Sequence, residues 1–408
     1  MTILHRIIPL FALIVLAMFA SHASAAESCV NVGQWLRPDD RTTVTHRGLM
    51  AELSKRPVVL LGEVHTNVEH HRWQLHTLAA LHALNPNMVI AFEAFPRSTQ
   101  SVLDKWVRGE LGVDAFLKQS RWHDVWRFDA NQYLPLFHFA RQHRIPMVAM
   151  NVERDLIRAV GKQGFEKVPK DVREGVSKPA PAAEAYRKSL RDVFDAHQKI
   201  GIGSPHKPKK PSNKTAPASK DSVETRFDRF VQVQTTWDRA MAEAIYKARL
   251  ANNSPLVVGI VGMGHLEFGY GISHQLADLG LKNAAVLLPW GPKRTCGDLK
   301  SAGGVAIAEV VFGTKPVQEP AQNSKPKLGV MISTAKQKVL INRVLKDSIA
   351  EAAGIKDGDR VMEAAGVVIH DTATLVSIIQ RQAPGTWLPL VIDRKGTKSV
   401  IIAKFPAN

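Results

Sequence analysis

Short apolar runs, each closing on a polar or glycine position, recur along the first part of the chain. Leu60-Leu61 leads into Gly62-Glu63-Val64-His65, Met88 to Phe92 into Glu93, Pro146 to Met150 into Asn151, and Val257 to Val261 into Gly262-Met263-Gly264-His265. Each run is apolar at successive positions, as a strand covered on both faces requires. Helix-like stretches follow the first two runs, at His70 to Leu84 and Thr99 to Trp106. The order β-α-β-α-β predicts an α/β fold, a mostly parallel sheet flanked by helices. Glycine turns at the strand ends would present polar side chains at the C-terminal edge of the sheet, where open α/β sheets bind ligands.

Further on, Ala183 to His197 and Val223 to Leu250 carry apolar residues at helical spacing, and Ala284 to Leu288 and Val305 to Phe312 read as strands. Between the two helices, residues 201–222 are rich in lysine, proline and small polar residues and hold no core pattern, which marks a basic insertion. Residues 313–327 carry Pro316, Pro320 and Pro326 and read as a linker between a domain at 26–312 and a unit at 328–408. That last unit runs from Leu328-Gly329-Val330 through a strand at Val339 to Val344, a short helix at Ser348 to Ala353, the turn Gly354-Ile355-Lys356-Asp357-Gly358-Asp359, and a helix at Thr372 to Arg381. It closes on strands at Leu388 to Arg394 and Ser399 to Phe405. In this order of elements it resembles a PDZ domain, a small α+β fold. The resemblance implies that a partner's free C-terminus adds as a strand beside Gly329 to Ser333, with its carboxylate held at Leu328, Gly329 and Val330.

The N-terminus changes the picture of where the chain works. Arg6, the apolar run Ile7 to Ala20 and Ala23-Ser24-Ala25 form a secretory signal over residues 1–25. The expected location is therefore exported, periplasmic, with lipid attachment at Cys29 the less favoured route because Glu27 and Ser28 make a poor attachment box. Cys29 and Cys296 are the only cysteines, and an oxidising compartment favours a disulfide between them. Net charge is +17, and loss of residues 1–25 removes one arginine and no acid, leaving +16. Such a charge favours anionic ligands and an anionic membrane surface. No nucleic-acid motif accompanies it, so no nucleic-acid partner is expected.

Glu63, His65, Glu93 and His265 can converge if their strands are neighbours. Two histidines and two carboxylates serve equally as a first shell for a divalent metal, as a general acid/base set, or as buried polar groups satisfying one another. His70, His71 and His76 follow on the next helix at a spacing poor for shared ligation, and read as a surface cluster. Trp122, His123, Trp126, Tyr133 and Phe137 line an apolar pocket or fill the core. Tyrosines number four: Tyr133, Tyr186, Tyr246 and Tyr270.

Gly62-Glu63-Val64-His65, Phe92-Glu93-Ala94-Phe95, Trp122 and Trp126, the strand end Ala149-Met150-Asn151, Trp237-Asp238 with Ala240-Met241-Ala242, and Gly262-x-Gly264-His265 through Gly269-x-Gly271-Ile272 occur in that order. Together they resemble the ChaN-like haem-binding uptake family of the Tiki/TraB-like superfamily, over roughly Val44 to Leu288. Ser273 stands where the family pattern has proline. The resemblance implies an exported protein of iron or haem uptake that binds haem between paired subunits, a homodimer, through a tyrosine. Tyr270, on the loop after His265, is the expected ligand, with Trp122, Trp126 and Tyr133 beside the haem. Related superfamily branches are hydrolases, some metal-dependent, which implies catalytic roles for Glu63, His65, Glu93 and His265 if this chain is an enzyme. A third reading is a scaffold led by the PDZ unit.

Overall fold

Alternation within each strand decides the architecture. In the computed structural model, which describes residues 29–199, 221–251, 253–317, 326–335 and 337–407, eight strands form one sheet. They are β1 (Trp35–Leu36), β2 (Thr43–Val44), β3 (Val58–Glu63), β4 (Met88–Pro96), β5 (Met147–Asn151), β6 (Leu256–Gly262), β7 (Ala284–Trp290) and β8 (Val310–Gly313). Their order is β2-β1-β8-β7-β3-β6-β4-β5. The six strands from β8 to β5 pair in parallel, and β1 and β2 add an antiparallel edge. The signal segment, most of the basic insertion and most of the linker lie outside the described residues.

Successive side chains of a strand point to opposite faces, so the apolar runs feed two cores. Val59, Leu61, Ile90, Phe92, Val258 and Ile260 pack on one face with Trp73, Leu78, Trp106 and Phe137 from helices Val68–Leu84, Gln100–Arg108 and Ala130–Gln142. Leu60, Ala91, Val257 and Val261 pack on the other with Met241 and Ile245 from the long helix Val223–Arg249 and with Ile272 and Leu276. The same parity separates the two carboxylates. Glu63 follows Val59 and Leu61 onto the first face, and Glu93 follows Ala91 onto the second.

β6 lies between β3 and β4, with Glu63 opposite Gly262 and Phe92 opposite Ile260. This crossover brings the ends of all three strands to one edge. The strand expected at Val305 to Phe312 starts later, at Val310, because the preceding residues turn back: Ser301 N–H bonds the Val305 carbonyl and Ile307 N–H the Leu299 carbonyl. Cys29 and Cys296 are disulfide-bonded, with Cα atoms 5.3 Å apart.

The chain divides into two compact units between Val317 and Gln318. The second is a small sheet of β9 (Val330–Ala335), β10 (Lys338–Val344), β11 (Arg360–Ala364), β12 (Val367–Val368), β13 (Trp387–Arg394) and β14 (Thr397–Lys404), ordered β14-β13-β11-β10-β9 with β12 on β11. Helices Ile349–Ala352 and Thr372–Gln380 complete it. Leu328, Val339, Ile341, Leu375, Leu388 and Leu390 are among its core. Gly329 takes φ +83°, a conformation that other residues adopt at a cost, and a Cβ there would overlap Ser348.

Candidate functional site

Glu63 ends β3 inside the protein and is 2% exposed. Its Oε1 accepts from His65 Nδ1 at 2.8 Å and from the Tyr133 hydroxyl at 2.5 Å. Its Oε2 accepts from Gln74 Nε2 at 3.0 Å and lies 3.3 Å from His71 Nδ1. Burial pushes the carboxyl pKa up, but the bonds to His65 and His71 outweigh it and hold Glu63 well below the usual carboxylate range. A buried carboxylate with four partners is a fixed hydrogen-bond hub.

The hub orients His65. With Nδ1 committed to Glu63, its Nε2 has no hydrogen-bond partner among the described residues, and the ring is half-buried. Trp126 meets it edge-on at 4.6 Å between centroids, and Phe128 lies at 5.1 Å. Burial lowers the His65 pKa, but Glu63 and Glu93 outweigh that and leave it raised.

A parallel arrangement serves the second histidine. Asp238, on the long helix and fully buried, accepts from His265 Nδ1 at 2.7 Å and from the Tyr186 hydroxyl at 2.9 Å. The His265 Nε2 faces Glu93 Oε1 at 3.7 Å. Burial opposes the charge on His265, but Asp238 and then Glu93 raise its pKa to about 9, so the imidazolium form persists at neutral pH. Glu93 Oε2 in turn accepts from Gly262 N–H at 2.7 Å.

Glycine closes the two halves together. A Cβ on Gly262 would stand 2.9 Å from His65 Cε1 and 3.3 Å from Glu93 Oε2. A Cβ on Gly271 would overlap the His265 carbonyl oxygen and crowd Asp238. The carboxylates from opposite faces of the sheet thus meet at its edge through His65, Gly262 and His265. The four residues read from the sequence are brought together.

Other expectations change. His70 and His71 are buried, 4% and 2% exposed, and not a surface cluster. His71 contacts Glu63, while His70 Nδ1 accepts from Val64 N–H at 2.9 Å and its Nε2 meets Asn67 Nδ2 at 2.9 Å, shaping the turn that carries His65. Burial lowers the His70 pKa to about 4, so it stays neutral. Of the three only His76 is exposed, its ring tilted against that of His46 with centroids 4.7 Å apart. Trp122, Trp126, Tyr133 and Phe137 are core residues, and Phe128 is half-buried beside Trp126. Gln74, His71, Asp238 and Tyr186 were not singled out as site residues in the sequence. The Trp237-Asp238 pair on an apolar helix was the available signal, since a fully buried acid demands a partner.

The divalent-metal expectation for Glu63, His65, Glu93 and His265 meets a donor set that is partly spent. Glu63 gives both oxygens to neighbours, Glu93 gives Oε2 to a backbone N–H, and no group of three histidine, cysteine, aspartate or glutamate side chains among the described residues is placed to hold an ion.

Haem needs an apolar face, an axial donor with a free lone pair, and cations for its carboxylates. Phe128, half-buried and backed by Trp126, supplies an apolar face beside His65. Of the tyrosines, Tyr133 and Tyr186 have hydroxyls bound to Glu63 and Asp238, and burial followed by those carboxylates pushes both pKa values far up. Tyr246 lies eight residues beyond Asp238, about 12 Å along the helix and away from the strand edge. Tyr270 is half-buried against Phe268 and Tyr186, its hydroxyl without a partner among the described residues, and it adjoins Gly271, which touches His265. The residues present fit the group.

No curated protein matches the chain. Among solved structures, ChaN of Campylobacter jejuni, described with cofacial haem binding, superposes with a TM-score of 0.51 at 17% identity, covering 68% of this chain and 95% of that one. The HtrA3 PDZ domain bound to a phage-derived ligand matches at 18% identity, covering 19% of this chain and 82% of that one with a TM-score of 0.18. The HtrA-type protease AlgW with a decapeptide matches at 19% identity, covering 20% and 29% of the two chains with a TM-score of 0.19. The PDZ family model matches residues 326–403, and the model described as "Haem-binding uptake, Tiki superfamily, ChaN" matches residues 49–276. The match to that second model spans more than half of the sequence, and the chain belongs to the ChaN-like haem-binding family and carries a C-terminal PDZ domain.

Proposed function

We propose that this protein binds haem at the edge formed by β3, β4 and β6, and that its PDZ domain recruits a partner through a free C-terminus. The observation that carries the haem reading is that the Tyr270 hydroxyl, on the turn after His265 and beside Tyr186, has no partner among the described residues, when the hydroxyls of Tyr133 and Tyr186 are consumed. Haem, when bound, supplies an iron atom that a phenolate oxygen ligates. In this chain Tyr270 would be the donor, the cationic His265 favours an anionic ligand nearby, and Phe128 offers the apolar face. Paired subunits follow from the same family relationship. Equilibrium dialysis of the full chain against haemin should give a saturable bound fraction that Tyr270→Phe diminishes; retention that never saturates would count against a built site.

Export supports the role in uptake. The signal at residues 1–25 directs it, and a disulfide between Cys29 and Cys296 suits an oxidising compartment. Sequencing the N-terminus of the mature protein should give Ala26.

A second reading rests on the two carboxylate-anchored histidines. Glu63–His65 and Asp238–His265 each orient one imidazole at the same edge as Glu93, an arrangement suited to general acid/base hydrolysis. Turnover of ester or lactone substrates that is lost in Glu63→Gln and in His265→Ala would favour it.

A further inference from the structure

Rings that flank His65 belong to a segment that holds cations with no carboxylate partner among the described residues. Trp126 and Phe128 contact the His65 ring, and Arg127 stands between them in sequence, exposed and at φ +70°. The positive φ is an unfavourable conformation for a residue with a Cβ. It is held by the Arg127 Nε–H bond to the Asp124 carbonyl at 3.0 Å.

Arg154 opens the helix after β5 and donates to the Val125 carbonyl, which ties it to the same segment. Neither Arg127 nor Arg154 has a carboxylate within 4.0 Å among the described residues. Glu153 is paired with Arg121 and Asp155 with Arg158, Asp129 caps the helix Ala130–Gln142, and among the described residues Asp124 forms no ion pair with either arginine. Burial, then Arg127, then Arg158 lower the Arg154 pKa, so the guanidinium feels positive neighbours. Like charges held close without a counter-charge cost free energy, and an anion placed between them relieves that cost.

We propose that Arg127 and Arg154 form an anion-holding rim at this strand edge and take the carboxylates of a planar apolar ligand seated against Phe128 and His65. Arginine suits this task because its fork matches a carboxylate bidentately. The inference rests on the haem reading and deepens it, since it assigns the anionic half of the ligand to named residues.

The experiment measures binding of haemin and of its dimethyl ester, in which both carboxylates are masked, to the full chain. The probes are followed by absorbance and by tryptophan quenching. Wild type should prefer haemin by about tenfold or more, the loss expected when charge-assisted bonds are removed. In Arg127→Gln and in Arg154→Gln that preference should shrink while affinity for the ester stays unchanged. Arg127→Gln alters an exposed side chain, so it keeps the test informative if the Arg154 variant fails to fold. Equal binding of the two porphyrins by wild type, or variants that weaken both alike, would overturn the rim while leaving the haem reading standing. Binding of neither porphyrin would overturn both.

Discussion

Asp238 accepts a hydrogen bond from His265 Nδ1 at 2.7 Å inside the protein, and the Tyr186 hydroxyl reaches its other oxygen at 2.9 Å. This acid fixes the imidazole's orientation and holds its proton. The His265 pKa stands raised from 6.5 to about 9 in the fold. Its stabilising contribution is therefore fully present below pH 6.5 and lost as pH rises through about 9. Asp238→Asn should return the His265 pKa towards the ordinary value, followed by NMR of the ring protons, and should flatten that alkaline loss of stability. A His265 titration that stays near 9 in the variant would contradict the assignment.

The two tyrosines near the site should separate in mutants. Tyr133→Phe removes a bond to a buried carboxylate and should cost about 1.5–3 kcal/mol of stability, read from denaturant midpoints. It should leave the haem spectrum in place. Tyr270→Phe should do the reverse, with little change in stability and a changed spectrum. A Tyr133→Phe spectrum as altered as that of Tyr270→Phe would move the ligand assignment.

Much of this arrangement was legible in the sequence because it lies in the strand pattern. The continuous apolar runs at β3, β4 and β6 pointed to both the parallel sheet and the shared edge, since strands apolar on both faces must be covered by helices on both sides. Three features were not legible. The short edge pair Trp35–Leu36 and Thr43–Val44 has too few residues for a period to show. His70 and His71 looked like surface residues because helical spacing says which side chains share a face and nothing about which face is buried. Asp238 lies 27 residues before His265 in sequence, and only the fold reveals that its helix packs under the end of β6.

Glycine substitutions should rank by what their new Cβ meets. Gly262→Ala would press on the His65 and Glu93 side chains, which can shift by a few tenths of an ångström. Gly271→Ala would meet the His265 backbone carbonyl, which cannot shift without moving the turn. Gly271→Ala should therefore lose more stability, about 1–3 kcal/mol, and Gly262→Ala should lose ligand affinity first. Thermal melts and dialysis on both variants check the order; equal melting with unchanged affinity in both would refute it.

The PDZ domain should bind a peptide through its terminal carboxylate at the Leu328-Gly329-Val330 turn. Amidating a binding peptide should weaken it markedly, and Gly329→Ala should abolish binding, because a Cβ at φ +83° would also overlap Ser348. Equal affinity for amidated and free-acid peptides across a C-terminal library would show that this turn does not read the carboxylate.

The central claim, that haem binds at the strand edge with Tyr270 as donor, is tested most directly by a visible absorption titration of haemin into the full chain. The account predicts a saturable Soret change that Tyr270→Phe shifts or removes and Tyr133→Phe preserves. A spectrum that climbs linearly with haemin, without saturation, would contradict it.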